Sequence, residues 1–559
     1  MSNFQELSQS AMESFLQHVV VVDDKAYAAA SEPVDIVPEK VIPPTRGKVP
    51  KKEETKELGE EAPSDVHTHR LHTKELVESF AENGLVCAVL EPSSGEEIGD
   101  TILKAAKRAD IVVLDWKIHE SYGETSLGLI RKIKEEDSSD RLRLIAIYTG
   151  ENDLSGIADA VKSVFEGEVI VDRGSLFFSA GAISISIMAK ERTSVNPEFA
   201  NRVLKEADLP QRLIQDFSTV TAGIMSNTVL EAYAAIRSTA HCVLSKFSPE
   251  MDAPYLAHRA LVNPPEEAEM HVVPLIMSEI EAVLDGESKV RQHLSVENVE
   301  AWIQNEINSD ECRCDAEAVL KDTEETSKDL ATDILKKIVV EGVSSNSWKE
   351  SAPGLAEFLK PVEDEDKSEL SRLTGLFCAE GQCERLDRDF AALTSIKSAY
   401  GSSAPILQLG AIVAKVACNN NKETTKSYHL CVQPLCDSVR LSRSSGRMFP
   451  FLKMKEIDPA KGKMFAVISQ GDGTHLELGL SLKGYESALI KFKPKVSNSP
   501  IVALEDEGGW YFQSTEPNMK YRWLGNLKLS QAQRVANNLA HELSRVGLTE
   551  SDWLRRMAK

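Results

Sequence analysis

The sequence predicts an α/β fold at its N-terminus, a five-stranded doubly wound parallel sheet, followed by a helical middle region and a C-terminal α+β, β-rich domain. Three observations predict it. Short apolar runs alternate with helical patterns over residues 19–171, the signature of strands joined by crossover helices. From residue 211 the apolar spacing changes to a sustained three and four, which belongs to helices. Beyond the acidic run Glu363-Asp364-Glu365-Asp366, short apolar strand patterns dominate. At 559 residues the chain exceeds what one core can organise and divides into about three domains. The expected boundaries are 1–192, with a flexible insertion at 28–66, then 193–366 as a helical connector or dimerisation region, and 367–559.

Residues 19–22 are four valines ending at Asp23-Asp24, read as a buried strand that delivers two carboxylates. The insertion carries Pro33, Pro38, Pro43, Pro44, Pro50 and Pro63 among mixed Lys and Glu, with too little apolar residue to offset ordering entropy. Leu76, Val77 and Phe80 give 73–83 helical spacing, and Gly84 stops it. Strands follow at 85–90, 110–115, 144–148 and 168–171, separated by helices at 96–108, 127–133 and 154–165. The central strand is 110–115, Asp-Ile-Val-Val-Leu-Asp. In open α/β sheets the chemistry collects at the carboxyl ends of the strands. Asp23, Asp24, Asp115 and Thr149 all fall there.

Three carboxylates crowded together repel one another unless a cation sits among them, and hard oxygen ligands of this kind suit Mg²⁺. A carboxylate beside Mg²⁺, with a hydroxyl and a cationic side chain nearby, is equipped to accept a phosphoryl group, Asp115 attacking in line. At these residues the chain resembles the receiver (CheY-like) domain of two-component response regulators, over residues 19–190. The resemblance implies that Asp23, Asp24 and Asp115 hold Mg²⁺ together with the Lys117 backbone carbonyl. It implies further that Asp115 takes the phosphoryl group from a partner histidine kinase and that Thr149 reports the event. Receivers place a Lys after the fifth strand; here the run is Val171-Asp172-Arg173-Gly174, which assigns the positive charge to Arg173, a different geometry from Lys. The architecture as a whole resembles the receiver proteins of Detocs-type phage-defence phosphorelays. That likeness implies a phosphate sink or modulator working beside a separate effector-bearing response regulator.

Other readings compete. An apolar strand ending in Asp is also a Walker B pattern, but no Gly-x-x-x-x-Gly-Lys-Ser/Thr accompanies it. His67, His69 and His72 invite a metal reading, yet they lie in or beside the polar insertion. The net charge of −23, from 64 basic against 87 acidic residues, argues against a nucleic-acid partner. No basic n-region opens the chain, and the longest apolar stretch, 176–189, is too short and too interrupted by Ser and Gly for a bilayer. The expected compartment is the cytoplasm, with the nine cysteines reduced.

The middle region reads as a long helix at 211–247 with an apolar stripe, then helices at 266–285, 296–307, 316–340 and 353–359. A stripe of that length wants a partner helix, supplied either by a second copy in a homodimer through this region or by a helical bundle packing on itself. The C-terminal domain reads as helices at 368–377, 384–393, 530–546 and 550–557, with strands at 405–416, 428–434, 464–469, 476–482 and 489–492. Two Cys-x4-Cys pairs, Cys378/Cys383 and Cys431/Cys436, carry a zinc alternative. Cys436 with Arg440 is the best corner for an enzymatic site switched by the N-terminal domain. His541 stands in a phosphorylated-His-like box with no ATP-binding domain after it. A phosphorylation-independent scaffold is the remaining class.

Overall fold

The computed structural model describes residues 3–26, 71–92, 100–119, 121–136, 141–174, 176–263, 265–308, 328–358, 373–378, 381–400, 403–419, 422–457, 465–470, 473–544 and 555–557. The insertion at 28–66, His67, His69 and the run at 363–366 lie outside them. Two compact units emerge, Met1–Phe247 with Ile276–Trp302, and Ser248–Leu275 with Ile303–Lys559.

The first unit opens with helix α1 (Asn3–Phe15) and strand β1 (His18–Val22), followed by α2 (Thr73–Glu82), β2 (Val86–Leu90), α3 (Asp100–Ala106) and β3 (Ile111–Leu114). A two-strand hairpin, β4 (Lys117–Ile118) and β5 (Ser121–Tyr122), leads to α4 (Glu124–Glu136), β6 (Arg143–Thr149) and α5 (Leu154–Lys162). Next come β7 (Ile170–Asp172), β8 (Phe177–Ala180), β9 (Ile183–Lys190), β10 (Val203–Leu204), α6 (Leu209–Thr221) and α7 (Ile224–Lys246). The eight-stranded sheet runs β2-β1-β3-β6-β9-β8-β7, with β10 also on β9. From β2 through β9 every pairing is parallel.

Successive valines of β1 point to opposite faces, as the two-residue period of a strand requires. Val20 and Val22 pack under α3, α4 and α5; Val19 and Val21 pack under α1, α2 and α6. Burying each such side chain stabilises by about 1.5–3 kcal/mol, so the sheet is covered on both sides.

Two expectations need correction. The fifth parallel strand is not 168–171. Residues Ile170–Asp172 form an antiparallel edge strand, and the parallel position beside β6 belongs to β9, Ile183–Lys190. A hairpin has been inserted between α5 and that strand. The helix expected over 211–247 is also two helices, broken at Ala222 (ψ 97) and Gly223, whose backbone is extended.

In the second unit an antiparallel sheet of ten strands dominates, its long members being Ala411–Asn419, Lys422–Cys431, Arg447–Glu456 and Met519–Leu527. Its core gathers Phe449, Phe451, Phe492, Phe512 and Tyr521, and the helix Leu529–Leu543 covers the other face through Ala532 and Val535. The molecule thus combines a parallel-sheet N-terminal domain, many helices and an antiparallel, β-rich C-terminal domain. No helix among the described residues is long and apolar enough to cross a membrane.

Candidate functional site

The carboxyl ends of β1, β3, β6 and β9 meet on one edge of the sheet, and their side chains build the site. Asp23 leaves β1 with its N–H donating to the Leu90 carbonyl (3.2 Å), while its Oδ1 accepts from the Lys25 N–H at 2.8 Å, the short-range turn that Asp favours. Asp115 leaves β3 held from three sides. Its N–H donates to the Val22 carbonyl (3.0 Å), its carbonyl accepts from Ser126 Oγ (2.6 Å), and its Oδ1 accepts from the Lys117 N–H (3.3 Å). Asp24 Oδ2 accepts from the His119 N–H at 2.9 Å. His119 adopts φ 50, an uncommon conformation for a non-glycine residue, and its ring Nε2 bonds the Pro92 carbonyl at 2.9 Å. Gly123, at φ +80, lies so close to Trp116 that a Cβ there would stand 2.1 Å from an indole carbon. Trp116, next in sequence to Asp115, is buried with its ring against that glycine.

The three carboxylates each offer one oxygen within 4.8 Å of the others. Among the described residues one ammonium faces them. Lys190, the last residue of β9, donates from Nζ to Asp115 Oδ2 (2.7 Å) and to Asp23 Oδ2 (2.9 Å). Asp23, Asp115 and Lys190 are 2%, 8% and 5% exposed, so these charges interact in a poorly screened setting. Burial pushes the Asp115 carboxyl up from its ordinary value; Lys190 pulls it back in part, and Asp23 pushes it up again. For Lys190 burial pulls downward, but the charges of Asp115 and Asp23 and their hydrogen bonds prevail and hold the ammonium above its usual range.

Thr149 ends β6, is fully buried, and accepts from the Glu151 N–H through Oγ1 at 3.2 Å. It pairs with Ala189, one residue before Lys190. Lys117 lies on the hairpin that follows Asp115, paired with Tyr122.

Arg173, expected to bring the positive charge, is at the opposite end of the sheet. Its Nε donates to Ser179 Oγ at 3.2 Å, and Ser179 pairs with Ser184. Ser184 precedes Lys190 by six residues (190 − 184), a distance of about 20 Å along a strand. Sequence reasoning missed Lys190. The signal was there: residues 183–189 form an uncharged run closed by a charged residue, the same pattern that ends at Asp115.

One ammonium against three carboxylates leaves an excess of negative charge, and Asp24 Oδ1 is buried with no hydrogen-bond partner among the described residues. An unsatisfied buried acceptor costs about 1–3 kcal/mol. An all-oxygen donor set with one unused carboxylate oxygen fits a hard divalent cation such as Mg²⁺. Residues 15–195 match the family model of the response receiver domain. The receiver match ends five residues beyond Lys190 (195 − 190) and takes in the whole acidic cluster. No curated protein matches the chain, and no solved structure does.

The other candidate corners hold less. Arg440 is engaged by both carboxylate oxygens of Glu267. Cys431 is buried and its thiol is pushed up to about 12 by that burial, while Cys436, the candidate nucleophile beside Arg440, is exposed. Among the described residues the cysteines do not join a group of converging metal ligands. The His72 N–H donates to the Glu206 carboxylate, and His541 stands exposed on Leu529–Leu543.

Proposed function

We propose that the protein is a phosphoacceptor that takes a phosphoryl group from a partner histidine kinase onto Asp115. The observation that carries this reading is the excess of buried carboxylate over ammonium at Asp23, Asp24, Asp115 and Lys190, with one carboxylate oxygen left unpartnered. A carboxylate oxygen of Asp115 attacks phosphorus in line, the P–N bond to the kinase histidine breaks, and the imidazole leaves. Lys190 steadies Asp115 Oδ2 and offsets charge on the transferred group, and the Thr149 hydroxyl turns toward the new phosphoryl oxygens. Asp23, Asp24, Asp115 and the Lys117 carbonyl would hold Mg²⁺, whose positive charge would keep the carboxylates ionised and offset the charge of the phosphoryl oxygens. Arg173 has no part in this chemistry.

Around this step the proposal keeps three domains, 1–192, 193–366 and 367–559, acting in the cytoplasm as a phosphate sink or modulator beside an effector-bearing regulator. An anti-phage phosphorelay is the setting that the architecture suggests. A homodimer through the helical region is supported by α7, where Val229, Tyr233, Ile236, Ala240 and Val243 recur at alternating steps of four and three, the spacing of a coiled-coil seam.

Acetyl phosphate with Mg²⁺ tests the central step. The wild-type protein is expected to gain the mass of one phosphoryl group, and beryllofluoride to change the fluorescence of the neighbouring Trp116; Asp115→Asn is expected to do neither. A wild-type protein that responds to neither reagent removes the phosphoacceptor reading.

A further inference from the structure

At the amino end of the same sheet lies a cleft of about 480 Å³, bounded by the starts of β1 and β2, the end of α3 and helix α7. Val20, Ala88 and Ala109 give it an apolar lining, and Arg108, Arg141 and Arg237 converge on it with one carboxylate, Asp110. In a chain of net charge −23, three guanidinium groups around one opening run against the general surface.

The carboxylate does not neutralise all three. Asp110 is 3% exposed and is already occupied. Its Oδ2 accepts from the N–H groups of Gln17 (3.0 Å) and His18 (3.2 Å), and its Oδ1 accepts from Arg141 Nη2 (3.0 Å). Arg141 spends further N–H groups on the Lys107 and Arg108 carbonyls. Arg237 is held in place by stacking over the Phe15 ring, 4.4 Å from its centroid, and by donating Nη1 to the Phe15 carbonyl at 2.6 Å. That bond leaves most of its five N–H donors unspent. The Arg108 guanidinium is exposed and has no hydrogen-bond or ion-pair partner among the described residues. The cleft therefore presents two underused planar forks, one of them immobilised by an aromatic ring, over an apolar lining. That is the chemistry that binds a phosphoryl or carboxylate group bidentately. The volume falls within the range of small-molecule sites.

We infer that this cleft is a second binding site, for a small organic oxyanion whose charged group pairs with Arg108 and Arg237 and whose apolar body rests on Val20, Ala88 and Ala109. The phosphoryl chemistry at Asp115 plays no part in it.

Full-length protein carrying Asp115→Asn, free of divalent cation, separates the two. Phenyl phosphate titrated into it by calorimetry is expected to bind saturably at one site per chain, with benzoate as the carboxylate arm. The Arg108→Gln change, at an exposed side chain without partners, is expected to weaken binding about tenfold, equivalent to about 1.4 kcal/mol. Arg108→Lys is expected to recover part of the loss, since charge returns without the fork. Arg237→Gln is expected to weaken binding at least as much. The inference is overturned if neither probe binds saturably up to about 1 mM, or if both bind Arg108→Gln as tightly as the parent.

Discussion

Asp110 and Asp115 flank the two ends of one strand, both almost wholly buried, and their surroundings are opposite in kind. Asp110 receives two backbone N–H groups and a guanidinium, so its charge is matched and it ties the start of β1 to β3. Asp115 shares a single ammonium with Asp23, stands within ligand reach of Asp24, and belongs to a cluster in which one carboxylate oxygen has no partner. A buried charge with complete hydrogen bonding is a structural fastening; one left in excess is held for something that arrives later. The difference between the two aspartates separates scaffold from site within a span of five residues (115 − 110).

Removing the ammonium that Asp115 and Asp23 share strikes that contrast hardest. Lys190→Met leaves Asp23 and Asp115 buried without a counter-charge and is expected to cost the receiver domain about 3–5 kcal/mol. Adding Mg²⁺ should restore part of it, because a ligand bound only to the folded state stabilises by mass action. Urea unfolding followed by tryptophan fluorescence, with and without the cation, measures both effects. Asp110→Ala orphans two N–H groups and takes one of three acceptors from the Arg141 guanidinium, for a loss of about 2 kcal/mol. Here Mg²⁺ should change nothing, and a Mg²⁺-dependent rescue would erase the distinction between the two ends. Ser126→Ala removes the hydrogen bond to the Asp115 carbonyl and is expected to cost about 1 kcal/mol, with slower phosphorylation from a loosened Asp115 rather than its abolition.

The finest contrast is in pH. Asp115 has a raised pKa in the folded state, so between the ordinary carboxylate value and that raised value the folded chain binds the extra proton. Stability is then fully present below the unfolded value and is lost as pH rises through the folded one. In the absence of divalent cation the receiver transition should weaken over that window, and Asp115→Asn should flatten the slope. A wild-type profile as flat as that of the variant would show that Lys190 alone balances the cluster.

Much of this was legible in the sequence. The valines before Asp23 and the apolar tetrad before Asp115 are buried on both faces, and such strands announce themselves as continuous runs. The strand carrying Lys190 does not. Its sequence, Ile-Ser-Ile-Ser-Ile-Met-Ala-Lys, alternates polar and apolar residues as a half-exposed strand would, although every residue is buried. The serines are satisfied by groups distant in sequence or across a hairpin, Ser186 by Asp216 at 2.6 Å and Ser184 by Ser179 at 3.1 Å. No local pattern encodes such partners. The Val-Ile-Val run at 169–171 consequently attracted the fifth-strand assignment and carried Arg173 with it. In the C-terminal domain Pro450 and Gly525 disguised two long strands, Arg447–Glu456 and Met519–Leu527, since neither residue favours a strand interior.

The close seating of Gly123 against Trp116 gives the receiver a built-in optical gauge. Any side chain at position 123 would have to displace the indole, so this glycine is what lets the ring of the residue next to Asp115 pack where it does. Of the six tryptophans in the chain, Trp116 is the one next in sequence to Asp115, so comparing wild type with Trp116→Phe isolates the part of any emission change on beryllofluoride addition that this ring contributes.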